Sequence, residues 1–345
     1  MSTTGWPEAA GRGPAAVSAR RNWLKLAILL LLLAALGWVL TLIVQYCRTG
    51  APFQELPGLL RVTREVRYFD SLYGVSRPLG VAVSNAGDRI YVSESGGERR
   101  ILVFNRFGEE IASLIPPGSV LAGRVPLYVA VSPENEIYVS DRFNRAIYIW
   151  AADGSFVGTF EPQSVPAEDW HPVGLAFDRQ GNLYVTDLTP GKHRVMVFDS
   201  SGALKLQFGK EGADPGDFWF PNGLAVDGEG RIYVADGNNG RLQVFDAEGR
   251  FLSNIGRGFG RGNLALPRGV AVDGDNRLYV ADASMHIVNV YDVSGEAPEF
   301  LYAFGSYGLG DGQFRFPNGI AVDGSSRFYV TDRENGRVEI WSYQR

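Results

Sequence analysis

The chain has 345 residues, with 33 lysines and arginines, 38 aspartates and glutamates, and 45% hydrophobic residues. Its formal charge of -5 is unevenly split: residues 1–48 carry five basic side chains against Glu8 alone, and residues 49–345 carry 28 basic against 37 acidic. An acidic body argues against a nucleic-acid surface, which needs a Lys/Arg face, and the single cysteine, Cys47, excludes an internal disulfide framework.

Residues 1–22 are rich in Gly, Ala, Ser and Pro, end in Arg20-Arg21, and read as a disordered tail. Trp23 to Val44 is almost unbroken apolar sequence. As a helix it would rise about 33 Å, enough for a hydrocarbon core of about 30 Å. Trp23, Trp38 and Tyr46 suit the interfaces, so the predicted transmembrane helix is 23–46. A cleavable leader would have a shorter apolar run closed by small residues, whereas this run closes with Val44-Gln45-Tyr46-Cys47. Basic residues concentrate before the span, and Arg48 alone follows it within a dozen residues. That asymmetry predicts a cytoplasmic tail and an extracytoplasmic body. Residues 47–65, with Pro52 and Pro57, read as a tether.

From Pro78 onward the chain repeats itself six times. Anchor prolines fall at 78, 126, 172, 221, 267 and 317, and repeats of this size built from short strands mean a propeller or solenoid. The fourth copy parses into strand a at Gly223–Val226, b at Ile232–Ala235, c at Leu242–Asp246 and d at Phe251–Ile255. Its hairpin turns are Asp227-Gly228-Glu229-Gly230 and Ala247-Glu248-Gly249. The last copy ends after strand c. The segment Arg67-Tyr68-Phe69-Asp70-Ser71-Leu72-Tyr73-Gly74 resembles Leu301-Tyr302-Ala303-Phe304-Gly305-Ser306-Tyr307-Gly308, a strand d. The N-terminal strand is therefore expected to complete blade six and close the ring. The fold predicted for 66–345 is all-β, a six-bladed β-propeller of four-stranded antiparallel blades, preceded by one transmembrane α-helix.

The phrases Pro221-Asn222-Gly223-Leu224-Ala225-Val226-Asp227 and Ile232-Tyr233-Val234-Ala235-Asp236 are echoed at Pro317-Asn318-Gly319-Ile320-Ala321-Val322-Asp323 and Phe328-Tyr329-Val330-Thr331-Asp332. With Arg241-Leu242-Gln243-Val244-Phe245-Asp246 they resemble the NHL repeat over about 66–345. That resemblance implies a propeller fold, and a range of roles: binding of protein or RNA, sensing on membrane proteins, and kinship with lyases and lactonases.

The parse puts the b–c loops and the d–a links on one face of the disc, and the short a–b and c–d turns on the other. The tether enters at the short-turn face, so the long-loop face is expected to point away from the membrane. The acid after each strand b (Glu94, Asp141, Asp187, Asp236, Asp282, Asp332) recurs in every copy and reads as a blade cap, bonding loop amides or Arg145, Arg194, Arg241 and Arg337. Asp227-Gly228-Glu229-Gly230 and Asp273-Gly274-Asp275-Asn276 lack the remaining ligands of a calcium loop. His171, His193 and His286 come from inequivalent positions and give no expected zinc site; His286 reads as a replacement for the loop arginine. Asn222 and Asn318 follow anchor prolines and stand where lactonase-like propellers hold a cation, but Leu79, Leu127, Val173 and Arg268 occupy the other copies.

The non-repeating residues of the long loops mark the expected partner-binding face: Arg142, Phe143, Trp170, His171, Trp219, Asn222, Phe259, Arg268, Arg315 and Asn318. Aromatic and arginine side chains on an outward face are common anchors, while Phe218, Phe220, Phe314 and Phe316 are expected to plug between blades. The reading is a membrane-anchored extracytoplasmic binding or scaffolding propeller for a protein or peptide, without metal, cofactor, nucleic acid or small substrate. Its alternative is a metal-dependent lyase or lactonase-like enzyme at the channel mouth.

Overall fold

The computed structural model describes residues 66–258, 260–325 and 327–343. The expected tail, transmembrane helix and tether lie outside these residues, as does Phe259. Among the described residues no helix is long and apolar enough to cross a membrane.

Six four-stranded antiparallel sheets follow one another around a ring. The inner strands a are Pro78–Val83, Pro126–Val131, Pro172–Phe177, Pro221–Val226, Pro267–Val272 and Pro317–Val322, and each touches its two neighbours, the last meeting the first. In blade 4, strand a starts at Pro221, two residues before the apolar run, because Pro221 still faces Asp236 across a bulge that precedes Leu224. Proline suits that first position, where no ladder N–H is needed.

The ring is closed as expected. Val66–Leu72 pairs antiparallel with Arg337–Tyr343, running from Val66 opposite Tyr343 to Leu72 opposite Val338, with a bulge between Tyr68 and Asp70. The chain therefore enters blade 6 from the short-turn face. Leu72 then joins Val338, Ile340 and Tyr329 of blade 6 against Val81, Ile90, Val92 and Phe104 of blade 1. Each of the other five seams holds an apolar cluster of the same kind. The ring thus shares its core among six seams, at about 1.5–3 kcal/mol for each fully buried aliphatic or aromatic side chain. Tyr343 adds a polar latch to blade 5, its hydroxyl 2.6 Å from that of Tyr279 and 2.8 Å from that of Tyr302.

Two further devices join the blades near the axis. The hydroxyls of Ser140, Thr186 and Thr331 each accept the N–H of their own strand a, at Tyr128, Gly174 and Gly319. Each then donates to a carbonyl of the next blade's strand a, at Val173, Asn222 and Leu79. Ser93 does the same between Gly80 and Leu127, whereas blades 4 and 5 carry Ala235 and Ala281 there. The approach leaves no room for a side chain: a Cβ on Gly80 would sit 2.6 Å from Leu127 O and 2.7 Å from Tyr128 Cα.

Removing 66–72 should expose the edge of blade 6 and abolish a single cooperative melt; Leu72→Ala alone should cost about 2–5 kcal/mol in denaturant unfolding. Retention of the wild-type midpoint by both variants would mean that the ring is not held by this strand. Gly80→Ala should cost about 1–3 kcal/mol by overpacking the first seam, measured the same way. Glu339 is buried and is pushed up to about 8, burial outweighing the attraction of Arg337, whose Nη2 lies 2.7 Å away. A raised native value means that folding takes up a proton, so stability falls as pH rises from about 5 to about 8. Glu339→Gln, which copies Gln243 of blade 4, should flatten that slope; an unchanged slope would mean that Glu339 is already ionised in the fold.

Candidate functional site

The long-loop face is built on the acid that ends each strand b. In all six blades its carboxylate accepts an N–H from the link that leads into strand a: Glu94 from Ser76, Asp141 from Val125, Asp187 from His171, Asp236 from Trp219, Asp282 from Ala265 and Leu266, and Asp332 from Arg315. In blades 4 and 6 the same acids hold buried arginines, Arg241 Nε at 2.8 Å from Asp236 and Arg337 Nε at 3.0 Å from Asp332. Arg194 binds Asp187 in the same way, while Asp141 takes the Asn144 amide. A return bond completes the staple: the b–c loop N–H groups of Ser95, Arg142, Leu188, Asn238, Ala283 and Glu334 bind carbonyls of Arg77, Val125, His171, Trp219, Leu266 and Arg315. The loops of this face are therefore held in fixed positions.

The expected outward residues that the structure describes separate into three groups. Arg142, Phe143 and Trp219 are exposed, Phe143 at 61% and Trp219 at 49%. His171, Arg268, Arg315 and Asn318 are half-buried. Trp170 is not outward: it is 5% exposed, with its ring 5.6 Å from that of Phe198 and 6.4 Å from that of Phe160. It fills the plug position that Phe218 and Phe314 hold in blades 4 and 6, both of which are fully buried. Asn222 is also withdrawn, 7% exposed, donating to Phe220 O and accepting from Arg268 Nη1 at 2.6 Å.

Phe220 and Phe316 do not plug between blades; both are exposed at the rim. They stand directly before anchor prolines with φ of 55° and 56°, and Arg77 stands in the same place with φ of 50°. A left-handed conformation costs a non-glycine residue about 1–3 kcal/mol and persists only where surroundings over-determine it. Two of the histidines supply that support. The N–H of Phe316 donates to His286 Nδ1 at 3.1 Å, and that of Phe220 to His193 Nδ1 at 3.5 Å, with the rings of each pair in contact. The register also shows that Ile287, not His286, takes the arginine position opposite Asp282. His171 pairs its Nδ1 with Thr189 Oγ1, and burial, then the charge of Arg145, pushes it below its ordinary value. The histidines thus serve three separate links, and among the described residues no three His, Cys, Asp or Glu side chains group as metal ligands.

Tyr128 is the residue that sequence reasoning missed. Pro126-Leu127-Tyr128 has tyrosine where the other five copies have glycine after Pro-x. The side chain reaches across to blade 6, donating its hydroxyl to Asn318 Oδ1 at 3.1 Å, and burial pushes it up to about 12. Arg268 and the Gly223 backbone amide stand near enough to oppose that shift. Tyr128 therefore occupies the channel itself, and the break in the repeat was its signal. The side-chain oxygens of Asn222 and Asn318 each accept a hydrogen bond, the first from a guanidinium and the second from a phenol.

The NHL-repeat family profile matches residues 218–245 and 314–341, which run from the plug phenylalanine through strands a, b and c of blades 4 and 6. No curated protein matches the sequence. Among solved structures the chain is similar to a streptogramin B lyase, with 12% identity, TM-score 0.58, and 81% of this chain and 98% of the lyase covered. It is also similar to a chain of a nidogen–laminin complex, with 18% identity, TM-score 0.57, and 72% and 85% covered. A catalytically inactive virginiamycin B lyase from Staphylococcus aureus, solved with quinupristin, gives 12% identity, TM-score 0.56, and 81% and 100% covered. At these identities the likeness is one of fold. Two stretches of the chain match the NHL repeat, and the described residues fold as a six-bladed β-propeller.

Proposed function

We propose that this protein is a binding module that engages a protein or peptide partner through the long-loop face of its propeller. In this reading residues 23–46 anchor it in a membrane, residues 1–22 stay in the cytoplasm, and the propeller stands outside it, as a platform or as a subunit of a membrane-associated assembly. Membrane placement rests on the apolar run and its flanking charge. That the chain enters blade 6 at the short-turn face supports a binding surface on the opposite, long-loop face.

One observation carries the binding reading. Exposed aromatic and arginine side chains, Arg142, Phe143, Trp219, Phe220 and Phe316, stand on links and loops already fixed by the six carboxylate staples. Such anchors lose little conformational freedom on binding, and preorganisation converts directly into affinity. The alternative, a metal-dependent lyase or lactonase acting at the channel mouth, would draw on Asn222, Asn318 and their neighbours. The lyases of similar fold keep it in view, but the oxygens it needs are engaged by Arg268 and Tyr128.

The test is purification of the full-length protein in mild detergent, with mass spectrometry of retained proteins and metal analysis of the same sample. A stoichiometric partner should be retained and should fall about tenfold or more on Phe143→Ala with Trp219→Ala, the scale of losing one or two hot-spot contacts. Retention indifferent to these changes, or a lone protein carrying one equivalent of metal, would contradict the proposal.

A further inference from the structure

The acidic balance of the chain does not extend to the mouth of its channel. Three arginines from neighbouring elements gather there: Arg77 on the link into blade 1, Arg268 on strand a of blade 5, and Arg333 at the start of the b–c loop of blade 6. One carboxylate answers them. Glu334 Oε1 lies 2.9 Å from Arg77 Nη2 and 3.6 Å from Arg333 Nε. Among the described residues, Arg268 donates to a neutral oxygen, Asn222 Oδ1, in the bond described above, and pairs with no carboxylate. Arg333 Nε is buried without a hydrogen-bond partner. Burial and the positive charges of Arg77 and Arg268 push the Arg333 guanidinium below its ordinary value, as expected of crowded cations. Asp282 and Asp332 lie beneath but are fully buried, their oxygens turned to the amides of Ala265, Leu266 and Arg315 and to Arg337.

Each guanidinium has about five N–H donors in a planar fork, and the protein consumes few of them here. The strained rim residues Arg77 and Phe316 flank the same mouth. Backbone strain of this kind collects at binding sites.

From this convergence we infer that the channel mouth is a carboxylate-binding site, which receives an acidic side chain or a C-terminal carboxylate of a peptide segment on Arg77, Arg268 and Arg333. The inference rests on the binding-module reading and deepens it by naming the chemistry of the partner. Guanidinium forks match a carboxylate, and an acidic body repels a long nucleic-acid backbone. Tyr128, spanning the channel below, supplies a floor that keeps the anion at the surface, and Phe316 and Phe220 supply apolar walls for the segment that carries it.

The experiment is titration calorimetry on the full-length protein in mild detergent. The probes are an acetylated, amidated hexaglutamate, an acetylated hexaalanine with a free C-terminal carboxylate, and an eight-nucleotide oligouridylate. At least one peptide should bind, and raising salt from about 50 mM to about 300 mM should weaken it through screening. The combined change Arg77→Gln, Arg268→Gln and Arg333→Gln should weaken that peptide about tenfold or more, while Arg250→Gln on the short-turn face should leave it unchanged. Binding of hexaglutamate alone assigns a side-chain carboxylate; binding of hexaalanine assigns a chain terminus. Should the triple variant fail to fold, the exposed Arg77→Gln alone should weaken the peptide about threefold. No peptide binding, binding indifferent to the arginine changes, or tighter binding of the oligouridylate would overturn the inference. A partner retained by the triple variant but lost with Phe143→Ala and Trp219→Ala would remove this inference and leave the binding-module reading standing; no retained partner at all would remove the reading itself.

Discussion

The structure depends on one carboxylate per blade. At the end of every second strand an acid accepts the N–H of the link that brings the chain in from the previous blade. That bond does three things at once. It satisfies a backbone donor at a place where no strand partner exists, it sets where the anchor proline begins strand a, and it fixes the link that forms the outer face. Asp236 and Asp332 add a buried arginine each, and breaking such a pair from one side costs about 3–5 kcal/mol because the partner is left charged and unpaired. Conformational precision on the long-loop face is a by-product of holding the ring together.

Much of this was legible in the sequence, for a physical reason. A blade has to repeat its apolar alternation, its turn glycines and its capping acid in each copy, so the fold is written six times. The closing strand could be read because Arg67–Gly74 repeats the pattern of Leu301–Gly308. The candidate functional face was harder, because it consists of positions where copies differ. Trp170 looked like an outward anchor, yet a link needs one large apolar residue as a plug, and blade 3 uses Trp170 where blades 4 and 6 use Phe218 and Phe314. Phe220 and Phe316 looked like plugs and are rim residues, since their left-handed backbone turns them outward. Tyr128 was visible as a broken glycine pattern, but only the three-dimensional ring shows that its hydroxyl meets Asn318, 190 positions later. The register likewise moved His286 from the arginine position to the residue before it.

The two readings of the channel mouth differ in the sign of the charge they require. A divalent cation needs free oxygens, and Asn222 and Asn318 have theirs engaged by Arg268 and Tyr128. A carboxylate needs donors, and Arg77, Arg268 and Arg333 present more than Glu334 can satisfy. Similar folds occur in lyases and in a nidogen–laminin complex, so the fold leaves both readings open and the side chains at the mouth are where they part.

The most direct test of the central claim is hydrogen exchange read by mass spectrometry on the full-length protein, with and without its retained partner. The account predicts that exchange slows in the links and b–c loops around 74–78, 142–145, 219–221, 315–318 and 333–336, and stays unchanged in the short turns of the opposite face. Slowing confined to the short turns, or none at either face, would contradict it.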